Sequence, residues 1–260
     1  MATRTAVDSR ASAARHLVFV LGGRFSTEAG IDVDRGDREI ERWFLAATLF
    51  GTRISTAIAI RTYRVLSECG VSTIDDVAGR SWAELVELLD RGGYARYDER
   101  TARRLLDLAK AVRRRFPGGI ADIGRTITDA DEAAAALDAL PGWGPSTVSA
   151  FLRELRGVWP AAALPVDERV VTAARHIGLV GPSEPFLLDQ LQHLAFRAGI
   201  DARDLESGLL RLALAHRRSL SECSPGTACP ILRRPPSALD NPARPVIRSL
   251  KSRTQKVSGC

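Results

Sequence analysis

The chain has 260 residues, a formal net charge of +6, 45% hydrophobic and 26% charged residues, and 6% aromatics. That is the profile of a soluble globular protein of one or two domains with a real core. Abundant Ala and Leu with so few aromatics argue against a β-sandwich or barrel and for helices. The longest apolar run near the N-terminus, His16 to Leu21, is too short to span a membrane and carries no signal-peptide pattern.

Residues 1–12 are small and polar and read as a frayed terminus. Arg15 to Arg24 fits a short helix or a buried strand. Asp32 to Asp37, with Gly30 and Gly36, reads as an acidic loop. Ile40, Trp43, Phe44 and Ala47 recur at helical spacing between Glu39 and Leu49, and a second helix follows from Ser55 to about Gly70. Ser72 or Thr73, with Asp75 and Asp76, opens a short helical turn. Ser81-Trp82-Ala83-Glu84 is a capping box ahead of Leu85, Val86, Leu88 and Leu89, and Gly92-Gly93 stops that helix. Tyr94 to Tyr97 lies in a loop, and Asp98 to Phe116 predicts a long amphipathic helix. Thr128 with Asp131 opens a helix that runs to Leu140. Ser146–Arg156, Pro165–Gly178, Pro185–Ala198 and Asp201–Arg217 give four more helices. No segment alternates with period two. From about Cys223 onward, six prolines and seven basic residues predict a flexible cationic tail, suited to nonspecific attraction to DNA or simply to solvation.

The positive charge and a pI of about 9.6 point weakly to an anionic partner such as nucleic acid. The basic residues are almost all Arg, with Lys only at 110, 251 and 256. Arg suits bidentate phosphate contact, although codon bias is the better account of the skew.

The most informative segment is Leu137-Asp138-Ala139-Leu140-Pro141-Gly142-Trp143-Gly144-Pro145-Ser146-Thr147-Val148. An apolar helix end meets two glycines spaced by one residue, and a second helix then starts with small and hydroxyl residues. Such glycines let the backbone approach a ligand. The free amides and positive end of the second helix form an anion site. Leu137, Leu140, Val148, Phe151 and Leu152 can clamp the two helices together.

The pattern resembles the helix-hairpin-helix motif, Leu-Pro-Gly-x-Gly-x-x-Thr-Ala, of the endonuclease III and adenine glycosylase superfamily, with Val148 in the final Ala position. Downstream, Pro165-Val166-Asp167-Glu168-Arg169-Val170-Val171 resembles that family's Val-Asp segment, and upstream Gly92-Gly93-Tyr94 to Ala109 resembles its Gly-Tyr segment. The similarity covers roughly residues 36–222. Gly23-Arg24-Phe25-Ser26 and Trp43-Phe44-Leu45-Ala46 resemble a less characterised branch of endonuclease III-like proteins.

The resemblance implies duplex DNA as partner, gripped by Leu140, Pro141, Gly142, Trp143, Gly144, Ser146 and Thr147. It implies Asp167 as the catalytic carboxylate, stabilising the cationic sugar as an N-glycosidic bond breaks; by itself an Asp-Glu pair at a helix start is an ordinary N-cap. Bifunctional members carry a Schiff-base Lys directly before the hairpin Thr. Here that position is Ser146, so lyase chemistry is not expected. The family's Gln-rich segment is replaced by Phe50-Gly51-Thr52-Arg53-Ile54-Ser55. Arg53 is a candidate wedge or phosphate contact, and Thr52, Tyr94 and Tyr97 are candidates to line a base pocket. A monovalent cation bridging the hairpin carbonyls to a phosphate is a further implication.

Many relatives hold a [4Fe–4S] cluster on four Cys with x6, x2 and x5 spacing. Only the x5 pair Cys223 and Cys229 is present. The other two positions fall on Leu220 and Ala213, so neither a cofactor nor a bound metal is expected. Zinc on Cys223, Cys229 and His216 is the remote alternative to two free thiols. His176 and His193 read as structural, Trp43 and Trp82 as core, and Trp143 as packing on a neighbouring helix or touching the minor groove.

The sequence therefore predicts an all-α monomeric cytoplasmic protein. Residues 36–158 form a six-helix domain with the helix-hairpin-helix at about 129–156. Residues 13–35 plus 159–222 form a second helical part across a DNA cleft, and residues 223–260 form the tail. The expected activity is that of a monofunctional base-excision glycosylase, the rival reading being a non-catalytic DNA-binding relative.

Overall fold

The computed structural model describes residues 2–51, 54–216 and 220–233. Among them the protein is all-α, with helices α1 (Ala2–Leu21), α2 (Phe25–Glu28), α3 (Asp37–Phe50), α4 (Thr56–Glu68), α5 (Ile74–Val77), α6 (Trp82–Gly92), α7 (Asp98–Arg115), α8 (Ala121–Thr126), α9 (Ala130–Asp138), α10 (Pro145–Glu154), α11 (Glu168–His176), α12 (Leu188–Ala198) and α13 (Ala202–Ala215), and with no strand. No helix of the described residues is long and apolar enough to cross a membrane.

Local chemistry accounts for most helix ends. Thr73 with Asp76, and Ser81 with Glu84, close reciprocal capping boxes at α5 and α6. Gly93, at φ +100°, ends α6 in the left-handed conformation that glycine adopts without penalty. Helix α9 departs from expectation at its start: Asp129, not Thr128, accepts the Glu132 amide.

Two expectations fail outright. Helix α1 spans Ala2–Leu21 instead of emerging after a frayed terminus, and Ala11, Ala14, Leu17 and Val20 make one buried stripe at helical spacing along its second half. The tail does not begin at Cys223: Cys229 and Leu232 are buried, and the Leu232 carbonyl lies 3.0 Å from His16 Nε2 on α1. Residues 234–260, with the rest of the predicted cationic tail, lie outside the described residues. Helix α8 has no counterpart in the sequence reading. Trp43 is fully buried as expected, but Trp82 is 39% exposed and donates to the Glu99 carbonyl.

The buried apolar side chains form one continuous cluster. Helix α3 packs on α4, α5, α8 and α10, while α6 sits between α4 and α7. Helix α13 packs on α1, α11 and α12, and α9 pairs with α10. Polar contacts stitch the N-terminal segment to α10 and α13. Glu154, at the end of α10, accepts from the Phe25 amide (2.9 Å) and the Ser26 hydroxyl (2.7 Å). Asp204 accepts from the Arg24 amide (2.9 Å), and a Cβ on Gly23 would lie 2.3 Å from its Oδ1. The Gly23-Arg24-Phe25-Ser26 segment is thus a structural joint.

Candidate functional site

Helices α9 and α10 are joined by residues 139–144. Gly142 sits at φ +81° and Gly144 at φ −163°, ψ 174°. The two glycines differ in what requires them. Gly142 needs the left-handed region, and a Cβ there would come within 2.6 Å of the Arg104 guanidinium. Gly144 is ordinary extended backbone, and a Cβ there would meet nothing within 4 Å. Neither backbone strain nor packing inside the protein calls for glycine at 144.

Gly144 caps α10 without a side-chain hydrogen bond, and Pro145 occupies the first turn, where its missing N–H costs nothing. The Thr147 and Val148 amides already donate to the Gly144 carbonyl, at 2.9 and 3.0 Å. The amides of Gly142, Gly144 and Ser146 have no hydrogen-bond partner among the described residues. Pro141, Pro145 and Ser146 lie around them, with Pro141 and Ser146 exposed. An unpartnered set of amides at the positive end of a helix is an anion-binding arrangement.

Arg104 on α7, which sequence reasoning does not single out, donates to the Gly142 carbonyl at 2.7 Å. It fixes the turn and places a guanidinium beside it. Nothing local in the sequence signals this, because the two residues are 38 apart.

The apolar members of the hairpin point inward. Leu140 and Thr147 are buried. Trp143 stacks on Phe44 at 4.5 Å and 18°, meets Phe151 edge-on, and donates its Nε1–H to the Thr48 hydroxyl at 3.2 Å. Its side chain is therefore an anchor clamping the hairpin to α3, which selects packing on a neighbouring helix from the two readings of Trp143. The Leu140, Trp143 and Thr147 amides all donate to carbonyls within the hairpin, at 3.0, 3.1 and 2.9 Å. Gly51 abuts Thr147: a Cβ added at Gly51 would lie only 2.6 Å from the Thr147 hydroxyl oxygen, so the end of α3 lies against the start of α10. Thr52 and Arg53 follow directly but lie outside the described residues. Tyr94 is 1% exposed and its hydroxyl donates to the Leu49 carbonyl, which makes it a core residue and not a pocket wall. Tyr97 is partly buried against the core, with Arg96 over its ring.

Asp167 is the N-cap of α11, accepting the Arg169 amide at 2.8 Å. Both its oxygens also accept from the Arg169 side chain, at 3.0 and 2.7 Å. The Arg169 hydrogen bonds hold the Asp167 carboxyl below its usual pKa against the opposing effect of burial, and the charge of Arg153 on α10 adds to the lowering. Arg153 is 4% exposed, with a buried Nε that has no hydrogen-bond partner. The carboxylate is therefore ionised at neutral pH, with both oxygens engaged by the Arg169 guanidinium.

The loop ahead of Asp167 is held by a buried ion pair. Arg156 donates to both oxygens of Glu206 on α13, at 2.7 and 3.0 Å. Its Nη1 also donates to the Ala162 and Leu164 carbonyls, at 3.1 and 2.6 Å. All this occurs with the two side chains 6% and 2% exposed. Four surface clefts are lined by other residues, none of them Asp167 or part of the hairpin. Ser146 is exposed in the first turn of α10, and Lys110 pairs at 4.0 Å with Asp107 on the exposed face of α7.

A second group of chemically active side chains forms at the other end of α11. His176 and His216 have ring centroids 5.1 Å apart, and Cys223 and Cys229 lie beside them as free thiols. Burial, and then the neighbouring His216, push the His176 imidazole below its usual pKa. Sequence reasoning groups His216 with the two cysteines and treats His176 as structural; the structure adds His176 to the group. No protein-family model matches this chain, and no curated protein matches it either.

Proposed function

We propose that this chain is a DNA-binding protein of the helix-hairpin-helix glycosylase kind, in which α9, residues 139–144 and α10 form the hairpin and Asp167 is the catalytic carboxylate. The observation that carries the reading is the open set of amides at Gly142, Gly144 and Ser146, on a turn where Gly144 has no internal reason to be glycine. A close-approaching phosphate oxygen supplies that reason. Arg104 adds a fixed positive charge beside the turn.

In this proposal α3–α10 form one helical part, and α1 with α11–α13 the other. Duplex DNA lies across both. The target nucleotide leaves the stack, because its sugar–base bond is otherwise inaccessible. As the C1′–N bond breaks, its electron pair leaves with the base and positive charge develops on the sugar. The ionised Asp167 stabilises that charge, and water adds at C1′, its surplus proton passing to the departing base so that the products are the sugar hydroxyl and the neutral base. With Ser146 in the lysine position, cleavage ends at the abasic site.

One observation favours the second reading, a DNA-binding relative without catalysis. Both Asp167 oxygens are engaged by Arg169, so the carboxylate meets substrate only if Arg169, 51% exposed, swings away.

The test is a panel of duplexes with single damaged or mismatched bases, treated with alkali to reveal abasic sites. The glycosylase reading expects product from at least one lesion, lost in Asp167→Asn with binding retained. Salt-dependent duplex binding without product from any lesion supports the non-catalytic reading. No salt-dependent binding removes both.

A further inference from the structure

We infer that His176, His216, Cys223 and Cys229 form a mononuclear zinc site that pins residues 220–233 onto the C-terminal ends of α11 and α13. The inference stands on these residues alone and does not depend on DNA binding or catalysis.

One donor atom from each of the four side chains lies within 4.8 Å of all the others. Two of the spacings match the edges of a tetrahedron. With Zn–S near 2.3 Å and Zn–N near 2.0–2.1 Å, a tetrahedral ion sets sulfur–sulfur separations of about 3.8 Å and sulfur–nitrogen separations of about 3.5 Å. Cys223 Sγ lies 3.8 Å from Cys229 Sγ, and Cys229 Sγ lies 3.5 Å from His216 Nε2. The sulfur separation is also far beyond the roughly 2.05 Å of a disulfide.

The imidazoles are prepared for the same role. His216 Nδ1–H donates to the Leu212 carbonyl at 2.7 Å, which leaves the lone pair on Nε2, the nitrogen facing Cys229. His176 Nε2 is buried with no hydrogen-bond partner. The two rings meet at 76°, an edge-on approach that lets their nitrogens converge.

The donor set selects the ion. Two thiolates and two imidazoles suit zinc, whereas magnesium and calcium require oxygen ligands. A [4Fe–4S] cluster does not fit, because it requires four thiolates. A [2Fe–2S] centre with two His ligands would place the imidazoles on one iron and the thiolates on the other. The 3.5 Å contact between Cys229 and His216 instead brings thiolate and imidazole around one centre. Binding releases two thiol protons to solvent, and the two thiolates neutralise the dication.

The position gives the ion a structural task. His176 is the last residue of α11, whose N-cap is Asp167, and His216 follows the last residue of α13. Zinc would tie both helix ends to Cys223 and Cys229, which come from a segment with little regular structure of its own.

The test uses the full chain, expressed under reducing conditions in zinc-supplemented medium. Metal per chain is measured by inductively coupled plasma mass spectrometry after gel filtration, and cobalt(II) is titrated into chelator-stripped protein. The expected result is about one zinc ion per chain and a saturable tetrahedral cobalt spectrum with thiolate charge-transfer bands. Cys229→Ser and His176→Gln should each weaken zinc binding by more than about 100-fold, beyond the usual cost of losing an outer-shell partner. If Cys229→Ser fails to fold, the wild-type cobalt spectrum and a zinc-dependent rise in melting temperature decide the matter. A folded chain without zinc that gives no saturable cobalt spectrum overturns the inference. So does iron in place of zinc, or unchanged affinity in His176→Gln.

Discussion

Gly144→Ala separates the proposed DNA contact from the stability of the fold. At φ −163° alanine is unstrained, and its Cβ would meet nothing within 4 Å. Restricting the unfolded chain favours alanine by about 0.4–1 kcal/mol. Against this, alanine is a poorer N-cap than glycine by about half a kcal/mol, so the net change should stay within about 0.5 kcal/mol. Gly142→Ala supplies the contrast. Holding alanine at φ +81° costs about 1–2 kcal/mol, and its Cβ also drives Arg104 from the Gly142 carbonyl. At about 2–4 °C per kcal/mol, Gly142→Ala should lower the melting temperature by roughly 2–8 °C, and Gly144→Ala should shift it by less than about 2 °C. For binding, a methyl group at 144 blocks a phosphate oxygen from the open amides. Losing one hydrogen bond to a charged group costs about 1.5–3 kcal/mol, or roughly 10–100-fold in Kd. Thermal melts and fluorescence anisotropy with a labelled duplex at fixed salt measure both quantities. A Gly144→Ala protein that melts and binds DNA like the parent would refute the claim that the hairpin amides face a phosphate.

Arg156→Ala leaves Glu206 charged, buried and unpaired, and frees the Ala162 and Leu164 carbonyls; urea denaturation should register a loss of about 3–5 kcal/mol. Arg104→Ala should weaken duplex binding for all sequences alike and reduce the slope of log K against log salt by about 1, read from anisotropy at several salt concentrations. The Arg203 hydrogen bond holds the Asp34 carboxyl below its usual pKa, so that pair contributes stability present above the unfolded value of 3.8 and lost as pH falls through the lower folded value. Asp34→Asn should therefore lower the melting temperature at pH 7 and have a smaller effect near pH 3, which thermal melts at the two pH values would check.

The elements legible in the sequence are those whose determinants are local. The Ser81–Glu84 and Thr73–Asp76 boxes each join residues three apart, and the structure places helix starts at both. The two glycines of the hairpin are visible for the same reason. Illegible parts depend on distant partners. Trp143 reads either as packing on a neighbouring helix or as touching a groove, and only the distant Phe44 and Thr48, with Phe151, decide for packing. Helix α1 is hidden because a polar, alanine-rich stretch becomes a buried stripe only when α12 and α13 supply the surface for it. Gly23 reads as part of a motif, yet its role is to let Asp204, far along the chain on α13, reach the backbone.

Helix α11 carries the same argument into the candidate site. Its first turn is set by Asp167, which the sequence marks as both cap and candidate acid. The loop before it is set by Arg156, held by Glu206 from 50 residues away. Its last residue, His176, gains meaning only beside His216 and the two cysteines. One short helix is thus constrained at both ends by charged or metal-ligating groups from outside its own sequence. That sequence supplies an amphipathic stripe, Val170, Val171, Ala173 and Ala174, that buries one face but leaves the ends free to fray. If Asp167 acts on a bound sugar, its precision must come from those end restraints. Loosening either end, at Arg156 or at Cys229, should then impair cleavage more than it impairs the hairpin's grip on DNA.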